Sequence, residues 1–216
     1  MAQVFSRQAV LLLKLVLTAL LVLTFVVAAL FRWEASMPNA VAAAVRQPIP
    51  FSHKHHAGDD GIDCRYCHTT VETSATAGMP STRICMTCHS QFFSDAPLLA
   101  PLRESLAAGR PIAWQRIHDL PDFVYFDYSI HVRKQVSCGE CHGPVDRMPL
   151  TWRKASLDMQ WCLACHRAPE KHLHLASEVF SSAEHSRLDD GEQRALAQAL
   201  NLRSTRRLTD CSTCHR

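Results

Sequence analysis

The chain has 216 residues and a net charge of +3, a surplus too weak to mark a binder of nucleic acid or another polyanion. Its length allows one domain, or a small domain with an anchor. Aromatics supply only 7% and there are 7 Gly, but 10 Cys narrow the chemistry to disulfides, metal ligands or covalent cofactors.

The first predicted element is an apolar helix. Lys14 is the sole charge between Arg7 and Arg32, and residues 15–31 carry none. A membrane helix needs about 20 apolar residues, and Lys14 sits near enough to the helix end to snorkel to the interface. Arg7 and Lys14 ahead of the span favour a cytoplasmic N-terminus. Residues 1–33 therefore read as a single-pass membrane anchor, with everything after them outside the cytoplasm. A cleaved signal peptide is the rival reading. Its apolar region is usually shorter, about 7–15 residues, and no A-x-A site follows the span directly, although the Ala-rich stretch 40–44 leaves a later cut open. Either reading exports the rest of the chain.

Residues 34–50 read as a Pro- and Ala-containing linker, and residues 51–216 as the exported domain. Next in order come Phe51, His53 and His56, then Cys64, Cys67 and His68, Met79-Pro80, and Cys85, Cys88 and His89. A short helix is expected over 97–109, followed by His118 ahead of Asp119-Leu120-Pro121. Phe126, Tyr128 and His131 lead to Cys138, Cys141 and His142, then Met148-Pro149, Met159, and Cys162, Cys165 and His166. A second helix is expected over 191–203, and Cys211, Cys214 and His215 close the chain. Turn residues interrupt every other apolar run, so the domain should be mainly irregular and α-helical, with little or no β-structure.

All ten cysteines fall into C-x-x-C pairs, and a His follows each pair at once. This is the attachment signature of c-type haem. The two thiols form thioethers to the haem vinyl groups, and the His is held where its imidazole can ligate iron. The competing readings explain less. A disulfide scaffold does not require the five histidines. Structural zinc normally shares one ion between two knuckles, and five pairs is an odd number. A thioredoxin-like site needs one C-x-x-C beside a βαβ pattern, which is absent. Five covalent haem c groups are therefore expected, with His68, His89, His142, His166 and His215 as proximal ligands.

Motif starts at 64, 85, 138, 162 and 211 give two close pairs and a single motif. Phe51-x-His53-x-x-His56 before the first pair matches Phe126-x-Tyr128-x-x-His131 before the second, and a Met-Pro step falls inside each pair. The pattern reads as a duplicated two-haem unit with a fifth motif appended. A low-spin electron-transfer haem needs a second strong axial ligand, usually His or Met. The expected distal ligands are His118 and His131, and, on the resemblance given below, His53 and His56. Met159, three residues before Cys162, is chosen for the remaining haem over Met79 and Met148. Tyr128 takes the place of His53 in the second repeat and is expected to pack or hydrogen-bond rather than ligate. His55 reads as a neighbour of true ligands, and His172, His174 and His185 as exposed.

The H-x-x-H spacing of His53 and His56 resembles that of class III cytochromes c, the c3 and c7 types. The resemblance implies that His53 serves the first haem and His56 a different one, the third being the expectation. More specifically, the run from Phe51 to Gly58 with 61–68, together with 116–126, 138–145, 161–167 and 209–216, is similar to the pentahaem cytochrome c subunit of alternative complex III. That similarity implies an electron-transfer subunit of a membrane quinol-oxidising complex. Its implied partners are the other subunits, including an iron–sulfur protein, with a monohaem cytochrome c or a terminal oxidase as acceptor. Tyr128 departs from that family's pattern, where a His is expected. No nucleotide loop, Ser/His/Asp set or paired-carboxylate site appears, so no active site beyond the haems is read. The alternative is a stand-alone multihaem quinol dehydrogenase or reductase. No C-x-x-C-K variant supports the reductase, and five motifs do not match a tetrahaem dehydrogenase.

Overall fold

The computed structural model describes residues 6–36 and 43–215, and the chain divides into two compact units, 1–40 and 41–216. The first unit is one helix, α1 (Arg7–Ser36). Its segment Arg7–Trp33 is long and apolar enough to cross a membrane, since 27 residues rise ~40 Å against a hydrocarbon core of about 30 Å. The two hydroxyls in the span are satisfied locally: Thr18 Oγ1 donates to the Lys14 carbonyl and Thr24 Oγ1 to that of Leu20, both at 2.8 Å. None of the apolar surface of this segment is buried within the protein, so it fits lipid or a partner helix better than water.

Of the expected linker 34–50, α1 occupies the start, and residues 37–42 lie outside the described residues, as does most of the 40–44 stretch. Residues 43–50 are not free chain. Ala44 bridges Trp152, Gln47 Nε2 donates to the Gln115 carbonyl at 3.0 Å, and Gln115 N–H returns the bond to Gln47 Oε1 at 2.9 Å.

The second unit is short helices joined by turns: α2 (Cys64–Cys67), α3 (Thr82–His89), α4 (Ala100–Ala108), α5 (Tyr128–Arg133), α6 (Cys138–His142), α7 (Met159–Arg167), α8 (Asp190–Ala199), α9 (Thr205–Leu208) and α10 (Cys211–Cys214). Among the described residues the β-structure is two isolated bridges, Ala44 with Trp152 and Val136 with Leu173. The expected helix near 97–109 is present as a 3-10 turn, Pro97–Leu99, running into α4, and ends at Gly109, whose φ of +61° is the left-handed stop. α8 starts on a reciprocal capping box between Asp189 and Glu192. Asn201, at φ +49°, follows its end and supplies the stop signal that the sequence reading did not see.

The repeat seen in sequence extends to ring geometry. Phe51 meets His53 edge-on at 4.9 Å and 88°, and stacks on His56 at 4.4 Å and 25°. Phe126 meets Tyr128 at 4.9 Å and 89°, and His131 at 4.6 Å and 23°. The two repeats seat on each other reciprocally. Lys54 N–H donates to the Met148 carbonyl at 3.1 Å, and His53 Nδ1 lies 2.8 Å from Thr151 Oγ1. In return, Tyr128 N–H reaches Ala75 O at 3.4 Å and Ser129 N–H reaches Ser74 O at 3.2 Å. Each histidine-bearing turn thus rests on the inter-motif segment of the other repeat.

Apolar packing is thin. Among the described residues the buried hydrophobics are Ile49, Val71, Leu102, Met148, Ala155, Leu173 and Val179, while Phe92, Phe93, Phe123 and Met79 stay exposed. Seven buried apolar side chains are too few to stabilise a unit of this length by themselves. Much of its interior must come from something other than its own side chains.

Candidate haem attachment sites

Each cysteine pair opens or lies within a short helix, which brings both thiols onto one side with the following His close by. Asp63 accepts from Arg65 N–H, Asp158 from Trp161 N–H and Asp210 from Ser212 N–H, capping α2, α7 and α10. None of the ten thiols is in a disulfide.

The motifs are strung in one file. Tyr66 in motif 1 and Thr87 in motif 2 share a 2.7 Å hydroxyl bond, and Cys67 is within electrostatic reach of Cys85. The Cys64 thiol of motif 1 meets Cys138 of motif 3. The segment 179–183 covers this junction: Val179 O accepts from Cys138 N–H at 3.0 Å, and Phe180 O from Cys64 Sγ at 3.6 Å. Cys141 of motif 3 lies near Cys165 and Cys162 of motif 4. Cys162 lies near Cys214 of motif 5, and His166 Nδ1 donates to Leu208 O at 2.9 Å. The order is therefore 2–1–3–4–5. The exposed cysteines, Cys88 and Cys211, belong to its two end motifs.

The imidazoles have a common arrangement. Nδ1 donates to a backbone carbonyl in His68 (Gly78, 2.7 Å), His89 (Phe92, 3.2 Å), His166 (Leu208, 2.9 Å), His215 (Phe123, 3.1 Å), His56 (Ser52, 2.9 Å) and His131 (Asp127, 2.8 Å). A carbonyl only accepts, so the proton is on Nδ1 and the Nε2 lone pair remains for a metal. The His56 and His89 rings are 6.2 Å apart, as are those of His131 and His166. His56 thus faces the second motif, whereas the resemblance to class III cytochromes implied the third. The same holds in both halves: the second histidine of each turn faces the second motif of its own pair.

Motif 3 differs. His142 is held down to about 3 by burial first, then by the charges of His118, His68 and His53. Tyr128 lies parallel to it, 6.2 Å between rings and 12° apart, with Oη 3.3 Å from His142 Nε2. Burial, with Cys141 and Cys138 nearby, pushes the phenol up to about 12, so it is neutral. His118 reaches the same place, 4.2 Å ring to ring, and its buried Nε2 has no hydrogen-bond partner. Burial, then Arg153, lowers His118 to about 4, and burial, then His68, lowers His53 to about 4. His131 is also lowered by burial. All are neutral imidazoles at pH 7, the form that ligates.

Two expectations about exposure change. His185 is exposed as expected, but His174 is wholly buried and His172 half-buried. They clamp Glu140, inside motif 3, with His172 Nδ1 on Oε2 and His174 Nε2 on Oε1, each at 2.9 Å. Burial opposes ionisation of Glu140, but these hydrogen bonds and charges overcome it and hold the carboxyl below its ordinary range. The clamp joins residues 32 and 34 positions apart, which no local pattern reveals. Glu140→Gln should cost about 2–3 kcal/mol, the worth of charged hydrogen bonds left without their partner. Denaturant unfolding of the haem-loaded protein measures it. His55 is exposed beside Asp60 at 3.5 Å. Met159 is 60% exposed on the first turn of α7, and Met79 is 61% exposed, while Met148 is completely buried.

Ten unbridged thiols, free Nε2 lone pairs, imidazole pairs 6.2 Å apart and an orphaned buried His118 Nε2 all fit haem. The comparisons agree. Residues 124–216 match the family described as cytochrome c7 and related cytochrome c, and residues 32–97 match the class III cytochrome c family. The two matches fall on the two repeats. The chain is also similar to the menaquinone reductase multihaem cytochrome c subunit of Nitratidesulfovibrio vulgaris (strain Hildenborough). Identity is 32% over an alignment of 169 residues, and the match covers 68% of this chain and 80% of that protein.

Proposed function

Because this chain belongs to the class III and c7 multihaem cytochromes c, we propose that it relays electrons through five covalent haems as a subunit of a quinone-linked membrane complex. The family supports multiple c-type haems, and the five C-x-x-C-H motifs support the number. Bound haem supplies a one-electron couple at its iron. The chain's own residues do the rest. The thiol pairs would fix each group, His68, His89, His142, His166 and His215 would offer Nε2 to it, and backbone carbonyls orient the rings of all of these but His142. His53, His56, His131 and His118 are the residues that would complete the hold on haems 1, 2, 4 and 3. His118 is preferred over Tyr128 because a neutral phenol is a poor iron ligand, while a buried Nε2 without a partner is costly. Met159 is proposed for haem 5, on the helix next to the fifth motif. The observation that carries the reading is the set of Nδ1–H bonds to carbonyls, which leaves Nε2 free at six of these histidines.

The matched relative is named as part of a menaquinone reductase, and the sequence resemblance is to a quinol-oxidising complex, alternative complex III. Both support quinone chemistry in neighbouring subunits, including an iron–sulfur protein, with this chain carrying electrons to or from a periplasmic carrier. We propose that α1 is retained as the anchor in the inner membrane, with the haem domain periplasmic. Whole-protein mass and an optical spectrum test the relay. The expected result is five haem increments, all six-coordinate and low-spin, with no carbon monoxide binding. A substantial high-spin, ligand-binding fraction would favour the reductase alternative. In the same assay, His118→Ala should turn one haem in five high-spin and able to bind carbon monoxide, while Tyr128→Phe should leave all five low-spin. The reverse pattern would assign the site to Tyr128.

A further inference from the structure

Resting on the relay function, we infer that the fifth-motif end of the file is the docking port for an acidic soluble electron-transfer protein, recognised by Arg203, Arg206 and Arg207 with Arg167 beside them. The file has two ends, and they differ in chemistry. The motif-2 end exposes Phe92, Phe93 and Leu98, at 66%, 70% and 59%. The motif-5 end is cationic. Arg203, Arg206 and Arg207 are exposed on and just before α9, which leads into Cys211, and Arg167 is exposed at the end of α7. Thr205 Oγ1 donates to the Arg167 carbonyl at 3.5 Å, so both helices contribute to one face.

None of these four guanidiniums makes an ion pair with a described residue. The one acidic residue between 193 and 216 is Asp210. Its Oδ1 already accepts from Ser212 N–H at 2.9 Å and Ser212 Oγ at 2.6 Å. A chain with a net charge of only +3 has thus collected a cluster of unneutralised arginines next to a terminal, exposed attachment site. Exposed charge of one sign beside a redox centre raises the encounter rate of an oppositely charged partner and orients it on the centre, by roughly 10-fold or more at low ionic strength. A soluble partner must bring its own centre near an exposed haem, and the buried middle motif offers no such approach. No bond forms or breaks: one electron leaves the reduced protein and reduces the partner's metal.

The test uses the full-length, haem-loaded protein in detergent, with haem content and low-spin spectrum measured first. Material without five low-spin haems would overturn the relay function, and the port with it. Fully loaded, pre-reduced protein is then mixed with two soluble one-electron acceptors of opposite surface charge, an acidic plastocyanin and a basic mitochondrial cytochrome c. The triple variant Arg203→Gln/Arg206→Gln/Arg207→Gln should lower the plastocyanin rate about 10-fold at low ionic strength. The difference should vanish at high salt, and the cytochrome c rate should hold or rise. Arg83→Gln, exposed on the motif-2 helix, should leave both rates unchanged. A triple-variant rate within 2-fold of the parent, or an equal loss in Arg83→Gln, would overturn the port while leaving the relay intact.

Discussion

Removing the thiols of motif 3, by Cys138→Ala with Cys141→Ala, should abolish accumulation of folded protein, whereas Cys211→Ala with Cys214→Ala should yield a stable protein one haem short. The difference follows from position in the file. Motif 3 touches motif 1 through Cys64 and motif 4 through Cys165 and the Glu140 clamp. His142 is buried and shares its site with His118 and Tyr128. Losing the cofactor here removes packing from between two halves whose side chains form only a thin core, a loss comparable with the whole stability of an ordinary domain. Motif 5 is joined on one side, by Leu208 to His166 and by Tyr125 N–H to Cys214 O at 2.7 Å. Its loss exposes an edge. Haem-stained gels and intact mass of exported protein give both answers. Equal recovery of the two variants would show that motif 3 is not the hub.

Gly139→Ala and Gly58→Ala should each destabilise the haem-loaded protein by about 3 kcal/mol, at the upper end for overpacking. Neither glycine is needed for its backbone angle; the reason is space. A methyl group on Gly139 would collide with the backbone of Ser182 and Ala183, and one on Gly58 with the carbonyl of Asp146. Both neighbours are main chain and are held in place. Ser137 Oγ bonds Ala183 O at 2.7 Å and Gly139 N–H bonds Ser181 O at 3.2 Å. The Asp146 peptide is held as well, its N–H donating to Ser182 Oγ at 3.2 Å. Gly61→Ala is the comparison: φ is +67° there but no atom lies within 4 Å of the added carbon, so the cost should be about 1 kcal/mol. Midpoints in guanidinium chloride rank the three. Gly139→Ala at or below Gly61→Ala would show that the 179–183 segment yields easily.

The cofactor class and the paired ring turns were legible because both are written in local spacing: C-x-x-C-H is contiguous, and the Phe-led turn precedes each pair by a similar distance. The apolar helix was legible for the same reason. What spacing could not give was pairing across the chain. His56 faces His89 because the repeats are self-contained in their ring contacts, which H-x-x-H alone does not specify. His172 and His174 looked exposed because their segment is polar, yet their partner is a carboxylate inside a distant motif. The file order is likewise a property of tertiary contact, since sequence order would run from 1 to 5.

The reciprocal seating of the repeats also bears on maturation. A chain exported from its N-terminus, as proposed above, would present His53 well before Thr151, its partner 98 residues further on. Until that partner arrives, the leading half would lack its seat on the trailing one. Ligation enzymes thus have an interval of unobstructed access to the first two attachment points, which ends when the trailing half arrives and the two lock together.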